Sequence, residues 1–285
     1  MGGENRKMKW NIIADSSCDM FELEQTHENI RFATVPFTIS VGDENFVDDE
    51  KLDTDELVGA MEACTHASHT ACPSPNAWYE QFEQEGDIFA ITISSNLSGS
   101  YNSACAARDM ILEEHPERKI HIIDSHSSGA ELILLVRKLC ELMESGCDFD
   151  SIVEKIERYS RSTHVVFALS SFNNLVKNGR MNKLVGFVAN KLGFWGIGIG
   201  SEQGTIEIKG KVRGAKKALD VILADMKERG YACSEVVISH CCNAEFAETL
   251  KNAIQDVWNK AEVTIVRTRG LCSYYAEKGG LIVGY

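Results

Sequence analysis

Ile88-Phe89-Ala90-Ile91-Thr92-Ile93-Ser94-Ser95-Asn96-Leu97-Ser98-Gly99-Ser100-Tyr101 is the stretch from which the fold class follows. Six apolar or β-branched residues in a row, without alternation, describe a strand covered on both faces, as parallel sheets flanked by helices require. A hydroxyl-rich turn follows, and helical periodicity then runs from residue 101 to 114. The same succession recurs nearby. Residues 10–14 read as a strand ending in Asp15-Ser16-Ser17, and residues 119–123 as one ending in Asp124-Ser125 before a helix over 130–145. Strands alternating with longer helices predict an α/β fold whose N-terminal part is a Rossmann-like parallel sheet. Taken singly, each Ser or Asp reads as a cap for the helix after it. Three such strand ends together point to a shared crevice, where helix N-terminal amides favour an anion.

The chain has 285 residues, enough for two cores. A helix over 149–159 leads to a strand over 164–169, which places an N-terminal α/β domain at 1–160 and a second α/β domain at 161–285. The second reads as that strand, short helices through residue 192, a glycine-punctuated stretch over 195–210, a helix over 214–229, then strand, helix and strand, with residues 281–285 a final buried strand. Neither Gly196-Ile197-Gly198-Ile199-Gly200 nor Gly279-Gly280 has the strand, G-x-G-x-x-G and helix context of a dinucleotide loop. Glycine in a tightly packed strand is the better reading, and no nucleotide is expected here.

Charge narrows the partners. Lys and Arg number 29 against 42 Asp and Glu, a formal net charge of −13 that repels nucleic acid and anionic lipid headgroups. No apolar stretch is long enough to span a bilayer, and MGGENRKMKW lacks the apolar middle of a signal peptide, so a cytoplasmic protein without stable membrane insertion is expected. The ten cysteines lack a disulfide framework and read as reduced thiols.

Several segments carry polar groups able to hold or transform a ligand. The hydroxyls and amides of the 94–101 turn suit a carboxylate. A serine hydrolase would use such a turn too, but the G-x-S-x-G elbow is absent, so binding is favoured over nucleophilic attack by Ser95. Arg180, beyond Asn178-Gly179, offers a planar cation, although a surface ion pair explains an isolated arginine as well. Cys64, His66, His69 and Cys72 are soft ligands without the spacing of structural zinc sites, so no metal is expected. Pro73-Ser74-Pro75 favours an extended approach to the next helix.

Taken in order, Asp15-Ser16-Ser17-Cys18-Asp19, Thr70 with Pro73-Ser74-Pro75, the 94–101 turn, Asp124-Ser125, Asn178-Gly179-Arg180, and Arg213 before Lys216-Lys217-Ala218 resemble the DegV family of bacterial fatty-acid-binding proteins. The resemblance implies a two-domain carrier, not itself an enzyme, that needs no cofactor. A long-chain fatty acid would lie buried in the C-terminal domain, with its carboxyl group presented at the interdomain cleft to a separate fatty acid kinase. On the matching positions Thr70 and Ser95 would bind the carboxyl oxygens with Ser94 close by. Arg180 would stand at the cleft, with Asp15, Ser16, Asp124 and Ser125, and Arg213 would face the kinase. The chain departs from the family twice. Its Thr-Ser-Gln-Pro block is Thr70-Ala71-Cys72-Pro73, and its C-terminal histidine motif is Tyr274-Tyr275-Ala276-Glu277-Lys278-Gly279-Gly280, where the hydroxyl of Tyr275 is left to contact the carboxyl group. The rival reading is a serine hydrolase using Ser95, or a metal-assisted hydrolase using the Cys64 to Cys72 cluster, acting on a small ester or lipid.

Overall fold

The apolar runs that read as strands are covered on both sides: all six residues of β1 (Trp10–Asp15) are buried. The computed structural model describes residues 9–181 and 193–285. After β1 come β2 (Ile30–Val35), β3 (Thr38–Val41), β4 (Glu44–Val47), α1 (Thr54–Ala63), β5 (Ser68–Ala71), α2 (Pro75–Phe82), β6 (Asp87–Thr92), α3 (Ser100–Glu114), β7 (Ile120–Asp124), α4 (Ala130–Glu144) and α5 (Phe149–Ser160). The later half adds β8 (Val165–Leu169), α6 (Asn173–Lys177), β9 (Phe194–Gly200), β10 (Ile206–Arg213), α7 (Ala215–Glu228), β11 (Glu235–His240), α8 (Ala244–Val257), β12 (Glu262–Arg267), α9 (Gly270–Ala276) and β13 (Leu281–Gly284). The short helices expected through residue 192 lie partly outside the described residues.

The described strands form three sheets. The first, β2-β1-β6-β7, is parallel throughout, as the unalternating runs predict. The second, β10-β9-β8-β13-β11-β12, is mixed: β11 and β12 are parallel and its other pairings antiparallel. The third, β4-β3-β5, is a small antiparallel sheet for which the sequence gives no clear run. The glycine-punctuated stretch becomes the β9–β10 hairpin. A Cβ on Gly198 would stand 2.4 Å from the Phe167 ring, so glycine here serves close packing.

Helix α4 joins the two larger sheets. Eleven of its fifteen residues are buried, and it packs on β1 from one side and on β11 and β13 from the other. A helix buried on most of its circumference belongs inside a core. One apolar cluster accordingly runs from Trp10, Phe89 and Leu135 through to Phe167, Val237 and Ile282. No helix among the described residues is long and apolar enough to cross a membrane.

Two buried polar junctions fix how the layers meet. Arg269 is 1% exposed; its guanidinium donates to Met20 O at 2.9 Å and Asp48 O at 2.6 Å and lies over the Phe21 ring. Asp48 in turn accepts from the amides of Gly270 and Leu271, both at 2.8 Å, and the Arg269 amide donates to Asp19 at 2.7 Å. The start of α9 is thereby tied to the turns after β1 and β4. At the second junction Glu131, in the first turn of α4, accepts from Ser127 Oγ at 2.5 Å and from Thr163 Oγ1 at 2.7 Å, bridging the chain before α4 to the chain entering β8.

These junctions generate two predictions. Arg269→Ala leaves Asp48 buried without its counter-charge and should lower unfolding free energy by about 3–5 kcal/mol in urea titrations; a loss near that of an ordinary surface substitution would contradict the role. Burial pushes the Glu131 carboxyl from 4.5 up to about 7, against the lowering effect of its two hydroxyl partners. Below pH 4.5 the group is protonated folded and unfolded, so it exacts nothing. As pH climbs toward about 7 the unfolded chain sheds the proton first, and the native state loses stability by about 3 kcal/mol. Glu131→Gln removes that loss, so its stability relative to the parent should rise across this window; a difference independent of pH would contradict the assignment.

Candidate functional site

Period two in β5 puts Ser68 and Thr70 on one face. Across from them stands α9, and the hydroxyl pairs meet at 2.7 Å between Ser68 and Tyr274 and 2.8 Å between Thr70 and Tyr275. Burial pushes the Tyr275 phenol above its ordinary value of 10, against the effects of Thr70 and Arg180, so it stays a proton donor. Arg180 closes the third side. Its Nε donates to Leu97 O at 3.0 Å and its Nη1 to Asn178 O at 2.5 Å. A guanidinium has five N–H groups, so these two bonds orient it without exhausting it.

Thr70, Ser98, Ser128, Arg180 and Tyr275 are the polar wall of a small chamber whose other lining includes Phe37 and Leu271. No carboxylate lines it among the described residues, and Arg180 is its one cation there. A second chamber adjoins it, walled by Val165, Phe167, Leu169 and Ile282. Leu97, Ser128, Leu175, Ile206 and Tyr275 line both chambers and form the neck between them. Each chamber has a cavity volume of about 60 Å³.

The strand-end residues behave differently from either expectation. Asp15 and Ser16 are fully buried. Asp15 accepts from Ser17 Oγ at 2.5 Å and from the Ile93 amide at 3.0 Å, and Ser16 Oγ accepts from the Phe37 amide at 3.0 Å. Burial raises the Asp15 pKa despite these bonds. Ser94 is buried as well and donates to Gly204 O at 2.7 Å, holding the β9–β10 turn. Half-buried Ser95 gives its amide to Asp124 at 3.0 Å, and Ser125 Oγ donates to Ser127 O at 3.1 Å. These groups stitch neighbouring strand ends together; the helix caps are Gly99 and Gly129, without side-chain cap bonds. The expected convergence of strand-end hydroxyls is thus corrected. Thr70 arrives from the small antiparallel sheet, and the serine of the 94–101 turn that lines its chamber is Ser98. Ser98 and Ser128 were not singled out in the sequence, where nothing local separates them from neighbouring serines. Arg213 is exposed at the end of β10, over the Phe194 ring at 5.8 Å.

A roomier cavity lies elsewhere. A volume of about 520 Å³ lies among Asp124, Ser125, Glu131, Glu157, Arg161 and Arg229; among the described residues it shares His126, Val165 and Gly200 with the apolar chamber. Charged walls of both signs are poor company for methylenes, so size does not make it the lipid site. Nor does the hydrolase reading gain support: among the described residues no three His, Cys, Asp or Glu side chains are grouped to hold a metal ion.

Comparison with known proteins agrees with this geometry. A DegV-domain-containing protein of Streptococcus pneumoniae serotype 4 is 44% identical over 278 residues, covering 98% of this chain and 99% of that one. Among solved structures, the Streptococcus pneumoniae Fatty Acid Kinase (Fak) B3 protein loaded with linoleic acid superposes with a TM-score of 0.95 at 44% identity, over 98% of this chain and 99% of that one. A DegV family protein from Eubacterium eligens loaded with heptadecanoic acid gives 0.92 at 38% identity, over 96% and 98%. One from Ruminococcus gnavus, refined with vaccenic acid, gives 0.90 at 31% identity, over 98% and 100%. The pattern of the family described as "Uncharacterised protein, DegV family" matches residues 9–285, and the chain therefore belongs to the DegV family.

Proposed function

We propose that this protein binds one long-chain fatty acid and presents its carboxyl group to a separate fatty acid kinase, doing no chemistry itself and using no cofactor. The carrying observation is continuity: a chamber with a cation and four hydroxyls opens through a shared neck into an apolar one. Each methylene moved from water to the apolar chamber contributes about 0.8 kcal/mol. The head group keeps its charge beside Arg180 and accepts from Thr70, Ser98 and Tyr275, with Ser94 and Ser95 acting from behind by fixing the turn. The acids carried by the three related structures support the same ligand class. So does the FakB3 designation, which points to a kinase as partner.

In this reading Arg213, exposed on the edge strand, belongs to the kinase-facing surface. The carrier works in the cytoplasm, without nucleic acid and without inserting in the membrane. The division at residues 160 and 161 separates the sheets: the parallel sheet comes before it and the mixed sheet after it. Both chambers draw lining from each side, so head group and tail are held by the two halves together.

Native mass spectrometry of the purified protein, followed by lipid extraction, should find one fatty acid per chain; protein that stays empty and shows no affinity for fatty acids would remove the proposal. Thr70→Val should weaken binding by about 1–3 kcal/mol, read by competition with a fluorescent fatty acid; unchanged affinity would move the head group elsewhere. Arg213→Ala should leave that affinity intact and slow acyl phosphate formation with the kinase present, because a rim charge acts on encounter. Equal rates would take Arg213 off the docking surface.

A further inference from the structure

Tyr274 is fully buried and lines neither chamber, yet its hydroxyl stands between the elements that carry the head-group residues. It accepts from Asn178 Nδ2 at 2.9 Å and shares a hydrogen bond of 2.7 Å with the hydroxyl of Ser68. Ser68 is two residues before Thr70 on the same face of β5, Asn178 is two residues before Arg180, and Tyr275 is the next residue of α9. We infer that Tyr274 is the positioning residue that sets the spacing of Thr70, Arg180 and Tyr275, and so the preference of the site for a carboxylate over a neutral head group. This rests on the fatty-acid reading above and names what that site selects.

The links to each partner are short and stiff. Asn178 also donates to Asn174 O at 2.9 Å, and its own carbonyl receives Arg180 Nη1 at 2.5 Å. Between them Gly179 turns the chain at φ +72°, with the amides of Gly179 and Arg180 bonded back to Val176 and Leu175 at 3.1 and 2.9 Å. Helix α6 is fastened to α9 a second and third time: Asn174 Nδ2 donates to Tyr274 O at 2.8 Å, and Glu277 accepts from Ser171 Oγ at 2.8 Å and the Asn174 amide at 3.2 Å. The rings of Tyr274 and Tyr275 meet edge to face at 4.9 Å. Burial raises the Tyr274 pKa from its ordinary value of 10, so the phenol stays protonated. Three chain segments far apart in sequence are therefore gauged against one hydroxyl, and a carboxylate needs all three placed at once.

Tyr274→Phe preserves the ring and removes only that hydroxyl. With delipidated full-length protein, hexadecanoic acid and hexadecan-1-ol are titrated in parallel. The variant should lose about tenfold in affinity for the acid while the alcohol changes less than about twofold, because the alcohol makes no use of the three-point geometry. In an Arg180→Ala background the same substitution should cost the acid little further, since coupled residues are not additive. Should Tyr274→Phe fail to unfold cooperatively, Asn178→Ala cuts one of the two links from outside the core and should show the same acid-selective loss. Equal losses for acid and alcohol, no loss for either, or full additivity with Arg180→Ala would overturn the inference. Parent protein that takes neither ligand would instead overturn the fatty-acid reading beneath it.

Discussion

A carboxylate and an alkyl chain ask for opposite surroundings, and a pocket that takes both must keep one end polar while excluding water from the other. An unpaired carboxylate next to apolar walls loses several kcal/mol of hydration. In the proposed reading Arg180 and the hydroxyls of Thr70, Ser98 and Tyr275 offset that loss at one end, and Val165, Phe167 and Ile282 supply the apolar wall at the other. Neither set is useful alone, and the neck at Leu97, Leu175 and Ile206 is where they are joined.

The fold meets this requirement by bringing three sheets to one place. Thr70 comes from the small antiparallel sheet, Leu97 and Ser98 from the turn after β6, and Phe167 and Ile282 from the mixed sheet. Their relative positions depend on α4, which packs between the two larger sheets, and on the buried Asp48 and Arg269, which fix where α9 begins. Ligand site and folding core are consequently hard to separate: Phe167, Leu169, Leu175 and Ile282 belong to both.

Much of the architecture was legible. The runs at 10–14, 88–93 and 119–123 became β1, β6 and β7 with ends displaced by a residue or so, because strands buried on both faces leave unbroken apolar stretches. Helices α3, α4 and α5 followed for the complementary reason of periodicity and, at Asp148, a true cap that accepts from the Ser151 amide. The sheet β4-β3-β5 went unread: its strands have four residues each and include Glu44-Asn45 and Ser68-His69-Thr70, too short and too polar to signal themselves. At the site, Thr70, Arg180 and Tyr275 were named through family resemblance, and the fold brings them to one chamber. Asp15, Ser16, Asp124 and Ser125 were recognised as special strand ends; Asp15 and Ser16 turn to buried bonds between neighbouring strands, while Asp124 and Ser125 line the charged cavity with Glu157 and Arg229, a difference of direction that a sequence does not show. Tyr274 stands in the sequence only beside Tyr275 in the altered C-terminal motif; its meaning lies in which atoms its hydroxyl touches.

The most direct test is a crystal structure of the protein loaded with an ω-brominated hexadecanoic acid. The account predicts carboxyl oxygens within hydrogen-bond reach of Thr70 and Arg180, and anomalous bromine signal inside the chamber walled by Val165, Phe167 and Ile282. Bromine signal in the charged cavity beside Glu157 and Arg229, or a carboxyl group remote from Thr70, would contradict it.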